Sequence, residues 1–267
     1  MALLASAVTP WPTWTYDVDV TLPTFTEAPN GVLLVGLGRW AAGDTTMVPA
    51  VPDGWTLVDG VVNTAYGSGM HVLAYFNPPA ELSGATLTVT YPVQATASSF
   101  VAAYLDDAVS VAGSAHLEGW TGGYDPRAAV FEKLEVQAGQ TLVGFIGTPG
   151  SNDGFAPVAY GRAIPAYAAS EQVSTARSGR NIGSLLVVEQ ATSSGLYAPR
   201  PVPVSAMTDP TGATNYASVL IALNSANMPA PPAPAGPRVS LWSGGTEVPL
   251  TVESLTTAGG ISIPVNS

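Results

Sequence analysis

The sequence predicts an all-β protein: an antiparallel β-sandwich with jelly-roll-like topology, a Pro-rich linker and a C-terminal β-hairpin arm. Three observations predict this fold. Apolar or alternating runs of strand length recur along the chain with Gly, Pro, Asn and Asp between them, as in sandwiches and barrels. The chain is turn-rich, with 28 Gly and 24 Pro in 267 residues. Hydrophobic residues make up 46% and charged residues 10%, a composition that predicts a large core rather than a disordered chain.

Each strand is assigned from its own pattern. Residues 15–22 alternate, which places Tyr16, Val18, Val20 and Leu22 on one face. Residues 31–38 read GVLLVGLG without a polar position, which predicts a strand that is buried on both faces. The remaining predicted strands are 54–62, 70–76, 85–93, 98–109, 140–147, 182–191 and 215–223.

Two features of this domain stay open in the sequence. Residues 125–139 fit a helix with Pro126 in its first turn, but they fit a strand entered from a turn equally well. The similar runs GVLLVGLG, QTLVGFIG and GSLLVVEQ indicate equivalent strands in two halves of one domain.

The C-terminal part differs in composition from the rest. We predict a sandwich domain over residues 1–223, a Pro/Ala-rich linker over 224–237 and a hairpin attachment segment over 238–267. The apolar residues predicted to form the contact surface of this assembly arm are Leu241, Trp242, Val248 and Leu250. Because an isolated hairpin is marginally stable in water, it must pack on the main domain or on another copy of the chain.

Charge and cysteine content limit the function classes. Lys and Arg total 8 against 19 Asp and Glu, a formal net charge of −11, so neither nucleic-acid binding nor attraction to anionic membranes is expected. The apolar runs are too short for membrane insertion. There is no cysteine for disulfides, thiolate metal sites or a cysteine nucleophile. The first residues lack the charged region of a signal peptide, so we expect synthesis in the host cytoplasm without an export signal.

Catalytic and metal patterns are weak. His71 lies near Ser68, but the full nucleophile-elbow motif is missing. Asp106, Asp107 and Asp153 offer calcium-type ligands without a calcium-loop pattern, and turn-forming carboxylates explain them as well. Asp17 and Asp19 share one strand face but carry no further glycosidase signal. We therefore predict no enzyme activity, no catalytic residues, no metal site and no cofactor.

Tryptophans divide into core and surface candidates. Trp55 opens a strand and shares a face with Leu57, which predicts a packing role between the sheets. Trp120 and Tyr124 lie in the glycine-rich stretch GWTGGYDP, where an exposed loop would present them to a ligand such as a sugar.

One stretch resembles a known family. The pieces at 31–38, 52–58, 67–76, 78–82, 85–91 and 98–104 resemble a β-sandwich module of minor tail and other virion proteins of tailed phages, especially those of actinobacteria. The segment PAPAGPRVSLWSGGTEVPLTVES resembles the C-terminal tails of phage minor tail proteins. The resemblance covers about half of the chain, and it carries no catalytic residues.

The resemblance implies a virion structural protein. The first expectation is a minor tail protein that forms homo-oligomers, binds other virion proteins and contacts a host-surface glycan. A capsid decoration protein and a carbohydrate-binding β-sandwich module are the alternatives. Localisation in the virion, on the tail rather than on the capsid, follows from the first expectation.

Overall fold

The computed structural model describes the chain over residues 1–11, 15–40, 47–63, 68–95, 97–120, 128–148, 155–157, 167–174, 183–191, 193–197, 202–206, 215–228, 239–243, 246–250, 254–256 and 262–264. In these ranges the regular elements are strands, apart from the 3₁₀ turn Ala80–Leu82. The sequence-based prediction of an all-β fold is therefore confirmed.

The strands of the first half of the chain are β1 (Leu3–Trp11), β2 (Thr15–Thr21), β3 (Val32–Trp40), β4 (Thr56–Asn63), β5 (Ser68–Phe76), β6 (Thr86–Ala95) and β7 (Ala97–Leu105). Those of the second half are β8 (Ala108–Trp120), β9 (Ala128–Ala129), β10 (Leu134–Val136), β11 (Thr141–Thr148), β12 (Phe155–Pro157), β13 (Tyr167–Ser174), β14 (Gly183–Ala191), β15 (Gly195–Tyr197), β16 (Val202–Ala206) and β17 (Asn215–Ser225). The C-terminal strands are β18 (Val239–Ser243), β19 (Thr246–Leu250), β20 (Ser254–Thr256) and β21 (Ser262–Pro264).

Two five-stranded antiparallel sheets form the body of the protein. The first sheet has the order β1-β7-β3-β5-β4, and the second has the order β13-β14-β11-β17-β8. The sheets stack face to face, with β3 over β11, β5 over β17, β4 over β8, β7 over β14 and β1 over β13. The β-sandwich prediction is confirmed. The jelly-roll-like topology is not, because each five-stranded sheet comes from one half of the chain.

The two halves repeat one strand arrangement. In each half the first strand pairs with the last, the last pairs with a central strand, and the central strand pairs with one strand of a two-strand edge. β1, β7, β3, β5 and β4 therefore correspond to β8, β17, β11, β14 and β13. The stacking is unchanged when these two sets are exchanged, as a pseudo-twofold axis between β3 and β11 requires. Two of the three runs singled out in the sequence, 31–38 and 140–147, are these equivalent central strands.

The three central strands of the first sheet, β3, β5 and β7, are largely buried on both faces. Val32 and Leu34 contact the facing sheet through Val143, Phe145 and Val219, in the inner core of the sandwich. On the opposite face, the side chains of β3, β5 and β7 pack under the two-stranded ribbon β2–β6. The prediction for residues 31–38 is confirmed, since every residue from 31 to 38 is buried.

Several glycines sit under aromatic rings. A Cβ atom at Gly36 would lie 2.2 Å from Cδ1 of Phe145, and one at Gly144 would lie 2.4 Å from Cζ of Phe131. Gly60 faces His71 and Gly119 faces Tyr216 as direct cross-strand partners, and each ring occupies the space of the missing side chain. These glycines therefore let large rings pack flat against the sheets.

Two local expectations change, and one open alternative is decided in favour of strands. Residues 98–109 form two strands, because Asp106 and Asp107 make a turn in which Asp107 has a φ of 54°. The described part of 125–139 contains β9 and β10 and no helix. Tyr16 does not share the burial of Val18 and Val20: a register shift between Thr15 and Asp17 interrupts the alternation, and Tyr16 is 50% exposed.

The chain divides into two compact units, Met1–Met228 and Pro229–Ser267. The first unit extends beyond the predicted boundary at 223 because β17 continues to Ser225 and the next residues bind Asp107. The second unit contains two short hairpins, β18–β19 and β20–β21.

Candidate functional site

The predicted assembly arm has the backbone of a hairpin. Leu241 pairs with Val248, Trp242 with Glu247 and Val239 with Leu250. The side chains of Leu241, Trp242, Val248 and Leu250 lie outside the described part of the structure. A two-stranded hairpin without a third strand buries too little surface to be stable by itself.

The predicted aromatic contacts fall at the end of an edge strand. Trp120 is the last residue of β8, and its backbone is opposite Asn215. Its position is thus strand rather than loop, while its side chain and the whole of Tyr124 lie outside the described residues.

Trp55 is a core residue, as predicted, but it lies in the layer under the ribbon rather than in the core between the two large sheets. It is 7% exposed, and it packs in the layer between the first sheet and the β2–β6 ribbon. Its ring meets that of Tyr75 edge-on, with the ring centroids 5.5 Å apart. Leu57 contacts the same layer. A buried edge-to-face pair stabilises the layer and leaves no ring face for a ligand.

His71 is buried beside an arginine. It is 2% exposed on the face of β5 that packs under the ribbon. Burial lowers the pKa of His71 from 6.5 to about 4; the charge of Arg39 adds to this effect, and Asp59 opposes it. The imidazole is therefore neutral at pH 7 and out of reach of a bulk substrate. The side chain of Ser68, its proposed neighbour, lies outside the described residues.

Arg39 and Tyr91 form a buried pair that sequence reasoning missed. The guanidinium carbon of Arg39 lies 3.6 Å from the centroid of the Tyr91 ring, and an Nη2 atom donates to the carbonyl of Val93 at 3.1 Å. Burial lowers the pKa of Arg39 and raises that of Tyr91. A cation on an aromatic face in a desolvated layer joins β3 to the ribbon. The pattern GLGRWA gives no hint of the tyrosine that lies far along the chain.

Asp59 and His116 connect the two sheets at their edges. Oδ1 of Asp59 on β4 lies 2.8 Å from Nδ1 of His116 on β8. The side chain of Asp59 is 15% exposed and that of His116 is 49% exposed. Asp59 also accepts a hydrogen bond from the backbone N–H of Gly60. Asp59 and His116 could act as an acid and a base, but among the described residues no nucleophile is identified beside them. Their geometry fits a bridge between β4 and β8.

Asp106 and Asp107 have structural hydrogen bonds. The carboxylate of Asp107 accepts hydrogen bonds from Ser225, from the backbone N–H of Ala226 and from the side chain of Asn227. The bond from Ser225 is the main cause that lowers the pKa of Asp107. Asp106 accepts from the backbone N–H of Ala2. The turn-forming interpretation of these carboxylates therefore describes them better than a calcium site.

The other carboxylates also have defined positions. Asp17 and Asp19 are exposed on one ribbon face, as predicted, and accept hydrogen bonds from Thr90 and Thr88, each at 2.6 Å. Glu189, which sequence reasoning missed, is 3% exposed on the outer face of the second sheet. Asp153 lies outside the described residues. Within the described ranges, no three His, Cys, Asp or Glu side chains are grouped to hold a metal ion.

A shallow groove lies between two loops of the first half. It is lined by Glu27, Ala28, Pro29, Asn77, Pro78 and Pro79. Beneath these loops, Tyr104 stacks on Phe25 and its hydroxyl accepts a hydrogen bond from the backbone N–H of Ala28 at 2.7 Å. The groove has prolines and one carboxylate but no aromatic ring to stack on a sugar.

Comparisons of the chain with protein-family models, with curated proteins and with solved structures gave no significant match. Among the described residues, no helix is long and apolar enough to cross a membrane.

Proposed function

We propose that this protein is a non-enzymatic structural component of a phage virion, a minor tail protein that assembles with other tail subunits. The observation that carries this proposal is the division of the chain into a large sandwich and a small hairpin unit. The sandwich has the core of a self-sufficient domain, whereas the hairpins need a surface to complete them. Addition of a strand to a neighbouring subunit is a common way to use such a segment.

The chemistry of the described residues supports a structural role. Several titratable side chains of the described residues serve as strand bridges, turn ligands or core residues: Asp59 with His116, Asp107 with Ser225, and His71 under the ribbon. The resemblance of residues 31–104 to a phage sandwich module supports the same proposal. A capsid decoration protein would have the same features, so position on the particle separates the two.

Two experiments test this function. Immunogold labelling of particles from the source, with antibody against the recombinant protein, should place gold on the tail. Gold over the head would instead favour capsid decoration, and particles without gold would contradict a virion role.

The second experiment removes residues 229–267 and so keeps the contacts of Asp107. The shortened chain should retain the circular dichroism of the sandwich and fail to incorporate into particles. A variant with Asn227→Ala in the full chain is the control, because it alters the junction without removing the hairpins. Normal incorporation of the shortened chain would contradict the role of the arm.

A further inference from the structure

β8 is the longest of the four edge strands of the two large sheets. β8 is 13 residues long, and among the described strands it pairs with β17 alone. Register shifts interrupt its first part, but from Gly113 to Trp120 the pairing with β17 is regular. A long, regular edge strand presents unpaired N–H and C=O groups to solvent and invites another strand.

β1, an edge strand of the first sheet, has protection that the regular segment of β8 from Gly113 to Trp120 lacks. β1 contains Pro10 and a register irregularity between Leu3 and Ala5. The hydroxyl of Thr9 on β1 accepts a hydrogen bond from the backbone N–H of Thr21. Proline, irregular pairing and cover by a neighbouring segment are the usual ways to prevent edge pairing.

The two adjacent edge strands β4 and β8 contain few ionisable residues. β4 lies beside β8, and together the two strands contain three ionisable residues, Asp59, His116 and Glu118. Asp59 is already paired with His116. In a chain of net charge −11, two copies repel each other, so they approach most easily through a surface with few carboxylates.

We propose that two copies of the chain associate through β8, antiparallel about a twofold axis at Leu117. In this register His116 of each copy lies opposite Glu118 of the second copy, and Ala115 lies opposite Gly119. An axis at residue 118 would instead place two Glu118 carboxylates opposite each other, which is destabilising. The opposition of His116 and Glu118 in this register favours a second copy as the partner, and the pair joins the two second sheets into one continuous sheet.

The size of this contact predicts a weak dimer. Seven paired residues extend about 24 Å along the strand, and two stacked sheets with their side chains are about 20 Å thick. The contact would bury roughly 1,000 Å² in total, at the lower limit of specific interfaces. This surface is distinct from the C-terminal arm, and the proposal does not depend on a virion role.

The absence of cysteine allows a direct test in the full-length chain. A Leu117→Cys variant places two thiols opposite each other on the axis, so mild oxidation should convert most of the protein to a covalent dimer. The matched control is Ala112→Cys, which lies on the same strand outside the paired segment and is exposed. It should cross-link at least tenfold more slowly. Equal rates for the two variants would overturn the proposal.

Sedimentation equilibrium provides a second test without a core substitution. Glu118→Lys should weaken self-association about tenfold, because it replaces the carboxylate opposite His116 of the second copy with an ammonium group. Glu81→Lys changes the net charge equally at an exposed position in the 3₁₀ turn Ala80–Leu82 of the first half and should alter association less than twofold. Equal effects of the two changes, or a wild-type protein that stays monomeric at about 200 μM, would refute the proposed dimer.

Discussion

The contact between Gly36 and Phe145 offers a sharp test of how the two sheets pack. Gly36 lies in the central strand β3, and the ring of Phe145 from the facing central strand β11 occupies the place of its missing side chain. A Cβ at Gly36 would be 2.2 Å from the ring, so Gly36→Ala forces the ring to move by about 1.2 Å to reach ordinary contact. Phe145 is 1% exposed inside the inner core, where few directions are open.

The expected cost follows from this overlap. Overpacking in a dense core typically lowers the free energy of unfolding by about 1–3 kcal/mol. For a protein of this size, about 2 kcal/mol corresponds to a decrease of roughly 4–8 °C in Tm. Thermal unfolding followed by far-UV circular dichroism measures this change. In a Phe145→Leu background, the cost of Gly36→Ala should be at least halved, because the smaller side chain can rotate away.

Gly113→Ala is the matched control. A Cβ there would meet Cδ1 of Leu134 at 3.4 Å, which is ordinary contact, and alanine restricts the unfolded chain more than glycine does. We expect a change within about 0.5 kcal/mol in either direction. If Gly36→Ala proved as stable as Gly113→Ala, the interpretation that the Phe145 ring occupies the space beside Gly36 would be refuted.

Three further substitutions test the core, a buried base and a turn. Trp55→Ala should lower the free energy of unfolding by about 3–5 kcal/mol, and Trp55→Phe should lower it by much less; urea titrations would measure both. A loss below about 1 kcal/mol for Trp55→Ala would argue against the core role. Between pH 6.5 and about 4 the unfolded chain binds a proton that buried His71 does not, so the free energy of unfolding falls as pH falls. His71→Phe should remove up to about 3 kcal/mol of this loss, which Tm measured from pH 7.5 to 4.5 would show. An unchanged pH profile of Tm would contradict the prediction. Asp107→Ala should lower the free energy of unfolding by about 1–2 kcal/mol and speed amide hydrogen exchange at Ala226 at least tenfold. The reason is that the substitution removes the hydrogen bonds that hold the end of β17. Unaltered exchange would show that these bonds are dispensable.

Much of the first half of the fold follows from local pattern. The alternation in residues 18–22 predicts which side chains of the ribbon are buried, and Val18, Val20 and Leu22 are each at most 1% exposed. The apolar run 31–38 predicts the doubly buried central strand. Both predictions rest on burial alone, which is a property of single positions. Tyr16 escapes the same reasoning because a register shift depends on the partner strand.

The polar sites were harder to predict because their partners are distant in sequence. Asp59 and His116 meet across 57 positions, and Ser225 reaches Asp107 across 118. Nothing near Asp59 indicates that its edge strand will lie beside β8. The sequence suggests turn-forming carboxylates at Asp106 and Asp107 but also predicts one strand through them, and the partners of Asp107 depend on where β17 ends.

The repeat of the two halves shows why similar letters can mislead. The letters LVG occupy 34–36 in β3 and 142–144 in β11, the two equivalent central strands. Aligned by these letters, Gly36 and Gly144 should face the same layer. Gly36 instead lies under Phe145 in the inner core, whereas Gly144 lies under Phe131 on the outer face of its sheet. In a strand that is buried on both faces, a shift of one residue exchanges two apolar faces at little cost, so the hydrophobic pattern does not specify register. The correspondence between the halves is therefore carried by strand order and stacking rather than by residue-for-residue similarity.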